Sequence, residues 1–233
     1  MLPFATGDSS SESGVRVAAL EDGARRAYSF TTPSGSGERI DLHVRRQSGG
    51  RFTSQVFETM RVGDTLTIEG PLGSFVLHEP SDRPLIFVAG ATGFAPVKSL
   101  LEEAFALGIA RPLYLYWGVR SRRDFYLYEL PQAWAREHAN FHFVPVLSEP
   151  LPEDAWEGRT GLVHQAILED FPDLRGFSVY ACGSVNMVNA ARPAMMAQGL
   201  EGEACYSDAL APAAQAGDLA TGEPEPRSQL QSW

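Results

Sequence analysis

Hydrophobic positions change their rhythm near residue 84. Between Arg25 and Leu77 they alternate with polar ones. "RRAYSFTT" and "RIDLHVRR" flank the Pro-Gly-Ser turn "PSGSGE" and predict two antiparallel strands, and "DTLTIEGPLGSFVL" predicts a third with a Gly-Pro interruption. Between them, "TSQVFETM" predicts a short helix with Thr53 or Ser54 as its N-cap. From Pro84 onward, short apolar runs alternate with amphipathic stretches. The strands expected are "PLIFVAG", "PLYLYWGV", "FHFVPVLSE", "FSVYACG" and "EACYSDA"; the helices run from Val97 to Leu107, Phe125 to His138, Gly161 to Asp170 and Val185 to Gln198. Val97, Leu100, Leu101, Ala104 and Phe105 form one apolar stripe ended by Gly108, and Pro193 is expected to kink or shorten the last helix. Strands apolar on both faces and joined by helices imply a parallel sheet covered on both sides.

The fold class that follows is α+β with two domains, a partial antiparallel β-barrel followed by an α/β parallel-sheet domain. The boundaries expected are a disordered leader or remnant over 1–24, the barrel over 25–80, the α/β domain over 81–210 and a disordered tail over 211–233, where Ala, Gly, Pro and Glu dominate.

Composition narrows the function classes. The 233 residues are 44% hydrophobic, enough for a sizeable core, and the formal net charge of -10 disfavours nucleic acid and anionic membrane surfaces as partners. No apolar run reaches the roughly 20 residues needed to span a bilayer, and the N-terminal residues do not read as a secretory signal, so a cytoplasmic location is the expectation. Two cysteines, Cys182 and Cys205, cannot supply the four thiolates of an iron-sulfur cluster, so an electron carrier would be organic or belong to a partner. No metal site is expected.

In an open parallel sheet, ligands gather where strand ends turn into helices. Gly90, Thr92 and Gly93 lie at such a place, and Pro96 suits a first helical turn, so amides and the helix dipole would face an anion such as a pyrophosphate. The spacing is not G-x-G-x-x-G. A second strand end, "VYACGSVNMV", carries Cys182, Gly183 and Ser184, the last able to cap the following helix; for Cys182 the ordinary alternative is a buried small hydrophobe. In "RAYS", Arg26, Tyr28 and Ser29 could hold a phosphate, stack on a flat ring and hydrogen-bond its edge, and "GGRFTS" adds glycine amides and hydroxyls suited to phosphate.

"RAYS", "GGRFTS", "VGDTLTIEGPLGSF", "VAGATGFAP", "YLYWGVRSRRDFYLYE", "VLSEP", "VYACGS" and "YSDA" together resemble, in order, the ferredoxin reductase-like flavoenzymes, in particular NAD(P)H-flavin reductases and the reductase components of oxygenases and deoxysugar pathways; the resemblance covers about residues 25–210. It implies FAD, with FMN or free flavin as variants, and NADH or NADPH as cofactors, and an electron-acceptor protein as partner. Arg26 would bind the flavin phosphate, Tyr28 would pack on the isoalloxazine and Ser29 would lie near its reactive nitrogen. Backbone of His43 and Val44 would face the flavin, and Gly50, Thr53 and Ser54 would line the pyrophosphate. Gly90, Thr92, Gly93 and Pro96 would form the nicotinamide dinucleotide loop, Cys182 and Gly183 would sit beside the nicotinamide, and Ser184, Asn186 and Met187 would continue the cleft. Ser29 and Cys182 are the candidate catalytic residues. Hydride transfer between stacked rings needs little acid-base machinery, and the five histidines, including His43 and His164, read as structural.

Glu149 after Ser148 would repel a 2'-phosphate and favour NADH, whereas Arg120, Arg122 and Arg123 could restore phosphate binding. The family's barrel usually has further strands before "RAYS", and Leu210 stands where an aromatic residue is common. The expectation is therefore an N-terminally truncated barrel: an incomplete start is favoured over a fragment that needs a partner chain and over lost flavin binding. Its unpaired strand edges would be association-prone. The alternative function is a non-catalytic nucleotide-binding or interaction module.

Overall fold

The structure, a computed structural model, describes residues 14–18, 25–33, 39–78 and 81–210. The turn at 34–38, the tail at 211–233 and the leader apart from 14–18 lie outside the described residues.

The larger unit is a six-stranded parallel sheet of order β7-β6-β5-β4-β8-β9. Its strands are β4 (Leu85–Gly90), β5 (Leu113–Val119), β6 (Phe141–Leu147), β7 (Arg159–Thr160), β8 (Ser178–Ser184) and β9 (Cys205–Leu210). The two-residue β7 has no counterpart among the strands read from the sequence, because it is too short to produce an alternation. Successive residues of β4 enter opposite cores. Leu85, Phe87 and Ala89 meet α2 (Phe94–Ala106) and Trp134 of α3 (Glu129–Glu137); Ile86 and Val88 meet α4 (Val163–Asp170) and α5 (Val185–Ala197) through Ile167, Ala191 and Met195. Each such side chain stabilises the fold by about 1.5–3 kcal/mol on full burial. Helix α5 runs through Pro193 to Ala197, so the proline does not end it.

The smaller unit is a three-stranded antiparallel sheet, order β2-β1-β3, made of β1 (Gly14–Ala18), β2 (Arg25–Ser29) and β3 (Thr67–Leu72). Strand β1 lies within the stretch that composition assigns to the leader, yet it is the central strand and pairs with both neighbours. "RIDLHVRR" forms no regular strand. It contributes one isolated bridge, Phe30 to Leu42, and Thr31 directs both its N–H and its hydroxyl to the Asp41 carbonyl, which closes the pairing at a turn-like contact.

The short helix α1 (Arg51–Ser54) continues as a π-helical turn over Gln55–Thr59 and starts earlier than expected, with Gly50 as N-cap in place of Thr53 or Ser54. Thr53 is buried one turn inside, where its hydroxyl accepts from the Gln47 N–H at 3.1 Å and donates to the Gly50 carbonyl at 3.0 Å. Among the described side chains, Phe52 is the buried centre of this unit's hydrophobic cluster, with Tyr28, Phe30, Leu42, Val56, Leu66 and Ile68 around it. The unit is also tied to the larger one. Lys98 of α2 donates to the Thr31 carbonyl at 2.9 Å, and Ser99 donates to the Thr32 carbonyl at 2.8 Å.

Candidate functional site

Because β5, β6 and β7 extend from β4 on one side and β8 and β9 on the other, the strand order reverses between β4 and β8. The carboxyl ends of these strands open onto a cavity of about 1000 Å³ at that reversal. Leu42, His43, Val44 and Arg45 of the small unit form one wall. Gly90 and Thr92 after β4, Gly118 and Val119 of β5, Ser148 after β6, Gly161 to His164, and Ser184, Asn186 and Met187 after β8 form the rest.

Glycine is required here for space. A Cβ on Gly93 would lie 2.1 Å from the Cys182 carbonyl oxygen, so the turn after β4 rests directly on the backbone of β8. Gly90 and Gly183 lie against each other under the Met187 thioether, which a Cβ on either would meet at 2.5–2.8 Å. Ala91 has a left-handed φ of 48°, and its carbonyl accepts the Trp117 indole N–H at 3.0 Å. Ser184 caps α5 by accepting the Met187 N–H at 3.2 Å.

The expected site residues fall into three groups. His43, Val44, Gly90, Thr92, Arg120, Ser184, Asn186 and Met187 line the cavity. Gly93, Pro96, Cys182 and Gly183 are buried immediately behind it. Arg26, Tyr28, Ser29, Gly50, Thr53 and Ser54 belong to the small unit and are not cavity-lining, although Ser29 reaches across to hydrogen-bond Asp208 of β9. Cys182 is fully buried, and that burial, followed by the nearby Asp208, pushes its thiol well above the ordinary range. It therefore stays protonated, and it belongs to the hydrophobic core cluster that also holds Phe94, Trp117 and Tyr180.

Three residues gain a place that the sequence reading did not give them. His164, read as structural, lines the cavity, and its buried Nδ1 has no hydrogen-bond partner among the described residues. Burial lowers its pKa, which keeps the imidazole neutral. "GLVH" is in fact another glycine-bearing strand-to-helix turn, so a signal was present. Tyr126 lines the cavity and hydrogen-bonds His43 Nδ1 at 2.7 Å. Asp208 joins the sheet to Ser29 over a separation in sequence that no local pattern announces.

Burial raises the Asp208 carboxyl above its ordinary 3.8, with the Ser29 hydrogen bond acting in the opposite direction. The folded chain thus holds this proton more tightly than the unfolded chain does. At neutral pH the ionised group costs stability, and the cost disappears as pH falls through the folded pKa. Asp208→Asn, which keeps an acceptor for Ser29, is expected to raise the melting temperature at pH 8, at about 2–4 °C per kcal/mol recovered. The gain should shrink toward acidic pH; no gain at pH 8 in thermal melts would contradict the assignment.

The geometry is that of a two-domain nucleotide-binding oxidoreductase, and comparison with known proteins agrees. An oxidoreductase FAD-binding domain model matches residues 14–77, and an oxidoreductase NAD-binding domain model matches residues 87–193. The chain is 41% identical over 199 residues to the CDP-6-deoxy-L-threo-D-glycero-4-hexulose-3-dehydrase reductase of Yersinia pestis, covering 85% of this chain and 59% of that protein. It is 35% identical to the NAD(P)H-flavin reductase of Vibrio harveyi, covering 72% of each. The crystal structure of the Amycolatopsis cytochrome P450 reductase GcoB superposes with a TM-score of 0.81 at 33% identity, covering 88% of this chain and 62% of that one. The chain belongs to the ferredoxin reductase-like flavoenzyme family, whose two domains take FAD and NAD(P)H. It spans somewhat more than half the length of the first of these relatives. Among the described residues no helix is long and apolar enough to cross a membrane, and no group of three or more His, Cys, Asp or Glu side chains could hold a metal ion.

Proposed function

We propose that the chain is an NAD(P)H-dependent flavin oxidoreductase that passes electrons to a separate acceptor. The observation that carries this reading is the cavity at the strand-order reversal, with one wall from the flavin-domain segment Leu42–Arg45 and the other from the ends of the nucleotide-domain strands. A flavin bound there supplies a two-electron acceptor for a nicotinamide hydride, and the protein's task is to hold the two rings in contact.

The donor set fits both cofactors. Arg26 and Tyr28 occupy alternate positions of β2, and the guanidinium acts on the Tyr28 hydroxyl, so a phosphate-binding charge stands beside a ring able to stack. Ser29, held by Asp208, would present its hydroxyl to the flavin edge. Gly50 and Ser54 would flank the pyrophosphate, while Thr53, whose hydroxyl is already engaged, would act by locking the Gln47–Gly50 turn. On the nucleotide side, Gly90, Thr92 and Gly93 would seat the pyrophosphate at the α2 N-terminus, which has no side-chain cap and no acidic residue in its first turn. Pro96 would keep that turn rigid. Gly183 and the backbone of Cys182 would floor the nicotinamide end, with Ser184, Asn186 and Met187 beside it. The neutral His164 ring, which lines the cavity, would stand beside the nucleotide.

NADH is the proposed donor. Arg120 Nε lies 3.7 Å from Glu149, which offsets its charge, and Arg122 donates to the Asp154 carbonyl at 3.3 Å; Arg123 lines the cavity on this side and Arg45 on the opposite wall. Glu149→Gln is expected to raise kcat/KM for NADPH about threefold to tenfold with little change for NADH. The effect should diminish with added salt, because the group is exposed. An unchanged NADPH/NADH ratio in steady-state assays would remove Glu149 from cofactor selection.

Relatives include reductases of a sugar dehydrase and of an aromatic-ring dioxygenase, so the acceptor proposed is an iron-sulfur or oxygenase component, or free flavin. The deciding experiment is the visible spectrum of the purified chain with FAD, followed by anaerobic NADH. Bleaching of the flavin bands supports the reading. Binding of NADH without any binding of FAD would favour a non-catalytic nucleotide module, the alternative consistent with the small core around Phe52.

A further inference from the structure

We propose that Tyr126 is a positioning residue for hydride transfer: its phenol holds His43, and thereby fixes the Leu42–Arg45 wall of the cavity against the nucleotide domain. This rests on the oxidoreductase reading above, and it concerns a side-chain link between two cavity-lining residues of different units.

The wall needs such a link. Residues 43–46 belong to no strand, and the segment's ladder consists of the single Phe30–Leu42 bridge. A segment with so few backbone hydrogen bonds of its own belongs to the less stable end of a structure unless side chains restrain it. His43 is restrained from the other domain. Its Nδ1 is 2.7 Å from the Tyr126 hydroxyl, and the two rings meet edge-on with centroids 5.0 Å apart.

Tyr126 is 40% exposed, but its ring is braced from behind. Its ring stands edge-on to Trp117 at 5.4 Å and to Phe94 at 6.3 Å, both fully buried. Trp117 stacks on Phe94 at 4.0 Å and donates its indole N–H to Ala91, within the turn that follows Gly90. A continuous path of contacts therefore runs from the nucleotide loop through Trp117 and Tyr126 to His43. Anything that shifts the loop on which a dinucleotide would sit is carried to the wall that a flavin would face. The bond joins two neutral groups near neutral pH, since burial, reinforced by Lys98, pushes His43 down to about 4, and burial raises the Tyr126 phenol. The link is short and directional but has no ionic component, which suits a spacer better than an acid or base.

Tyr126→Phe separates the hydroxyl from the ring, because the edge-on contacts with Trp117 and Phe94 persist. Two measurements test the proposal. In the cofactor-free full-length chain, the NMR backbone order parameters of Leu42–Arg45 should fall in the variant from the rigid range of about 0.85 to below about 0.6, while those of α2 keep the wild-type value. In the FAD-loaded chain, single-turnover bleaching by NADH should slow about tenfold at saturating NADH, with FAD affinity within twofold of wild type, as expected for a lost orientation rather than a lost binding contact. His43→Leu should slow bleaching similarly, and the double variant should be no slower than either single one, because both remove the same bond.

Unchanged order parameters at Leu42–Arg45 overturn the proposal whatever the flavin does. Lowered order parameters with a wild-type bleaching rate overturn the positioning role. Wild-type protein that binds both cofactors without bleaching overturns the oxidoreductase reading itself, a result distinct from either.

Discussion

Gly93→Ala is expected to abolish most NADH-dependent turnover and to lower stability, although it adds only one methyl group. Gly93 has an ordinary right-handed conformation, φ -60° and ψ -11°, so its backbone angles would accept alanine without strain. The obstacle is position. The new Cβ would lie 2.1 Å from the Cys182 oxygen, 2.5 Å from its carbonyl carbon and 2.9 Å from the Gly183 nitrogen, all main-chain atoms of a central strand. No side chain can rotate out of the way, so either β8 or the turn after β4 must move by an ångström or more. Overpacking of this kind costs about 1–3 kcal/mol. For a chain of this length that corresponds to roughly 2–4 °C of melting temperature per kcal/mol. The kinetic effect should be larger, about a hundredfold, because the displaced turn carries Thr92 and the start of α2, and ångström misplacements of bound reactants have consequences of that order. Gly90→Ala provides the contrast. Its Cβ meets the flexible Met187 sulfur at 2.5 Å and the nearest backbone atom, the Gly183 Cα, only at 3.4 Å, so Met187 can repack and the loss should be several times smaller. Equal losses for the two variants, in stopped-flow reduction and thermal melts, would contradict the packing argument.

The parallel sheet was legible because its central strands β4, β5 and β8 are buried on both faces and read as apolar runs. The Gly90–Gly93 turn was legible in position because its glycines fall between an apolar run and an amphipathic stretch, which are β4 and α2. The small unit was harder. Alternation in "RIDLHVRR" predicted a strand where the chain makes a single bridge, and the polar residues around Gly14–Ala18 concealed the central strand. The helix cap was misplaced for a local reason: Thr53 is a good capping residue in sequence, but its hydroxyl closes the Gln47–Gly50 turn from within the helix. The missed site residues share a different cause. Tyr126 and Asp208 act through partners 83 and 179 positions away, His43 and Ser29, and a pairing of that kind has no periodicity to reveal it. His164 reads as structural in the sequence; the structure adds that the residue lines the cavity and that its buried Nδ1 has no hydrogen-bond partner among the described residues.

Arg26→Ala is expected to weaken FAD binding about tenfold to a hundredfold while leaving NADH binding unchanged, and Tyr28→Ala should weaken it comparably. Arg26 forms no ion pair among the described residues. Its guanidinium donates only to the neighbouring Arg25 carbonyl at 2.8 Å, whereas Arg25 itself is paired with Glu69. A charge held in reserve on a sheet face, beside a half-buried tyrosine, is available to a phosphate, and a charge-assisted bond of this type contributes about 1.5–3 kcal/mol. Tyr28 adds aromatic contact of about 0.5–1.5 kcal/mol beyond its buried area, but it also packs on Phe52 with centroids 5.5 Å apart, so its truncation opens the small unit's core. Tyr28→Phe separates the two contributions: it retains the packing on Phe52 and the stacking surface, and should retain most of the flavin affinity. Neither Arg26 nor Tyr28 lines the cavity between the domains, which is why NADH affinity serves as the internal control. FAD titration of the four proteins by fluorescence quenching, with NADH binding measured by calorimetry in parallel, gives the comparison. Wild-type FAD affinity in Arg26→Ala would place the flavin phosphate elsewhere, whereas a parallel loss of NADH affinity would mean that β2 supports the fold of the whole cleft and does not select the flavin.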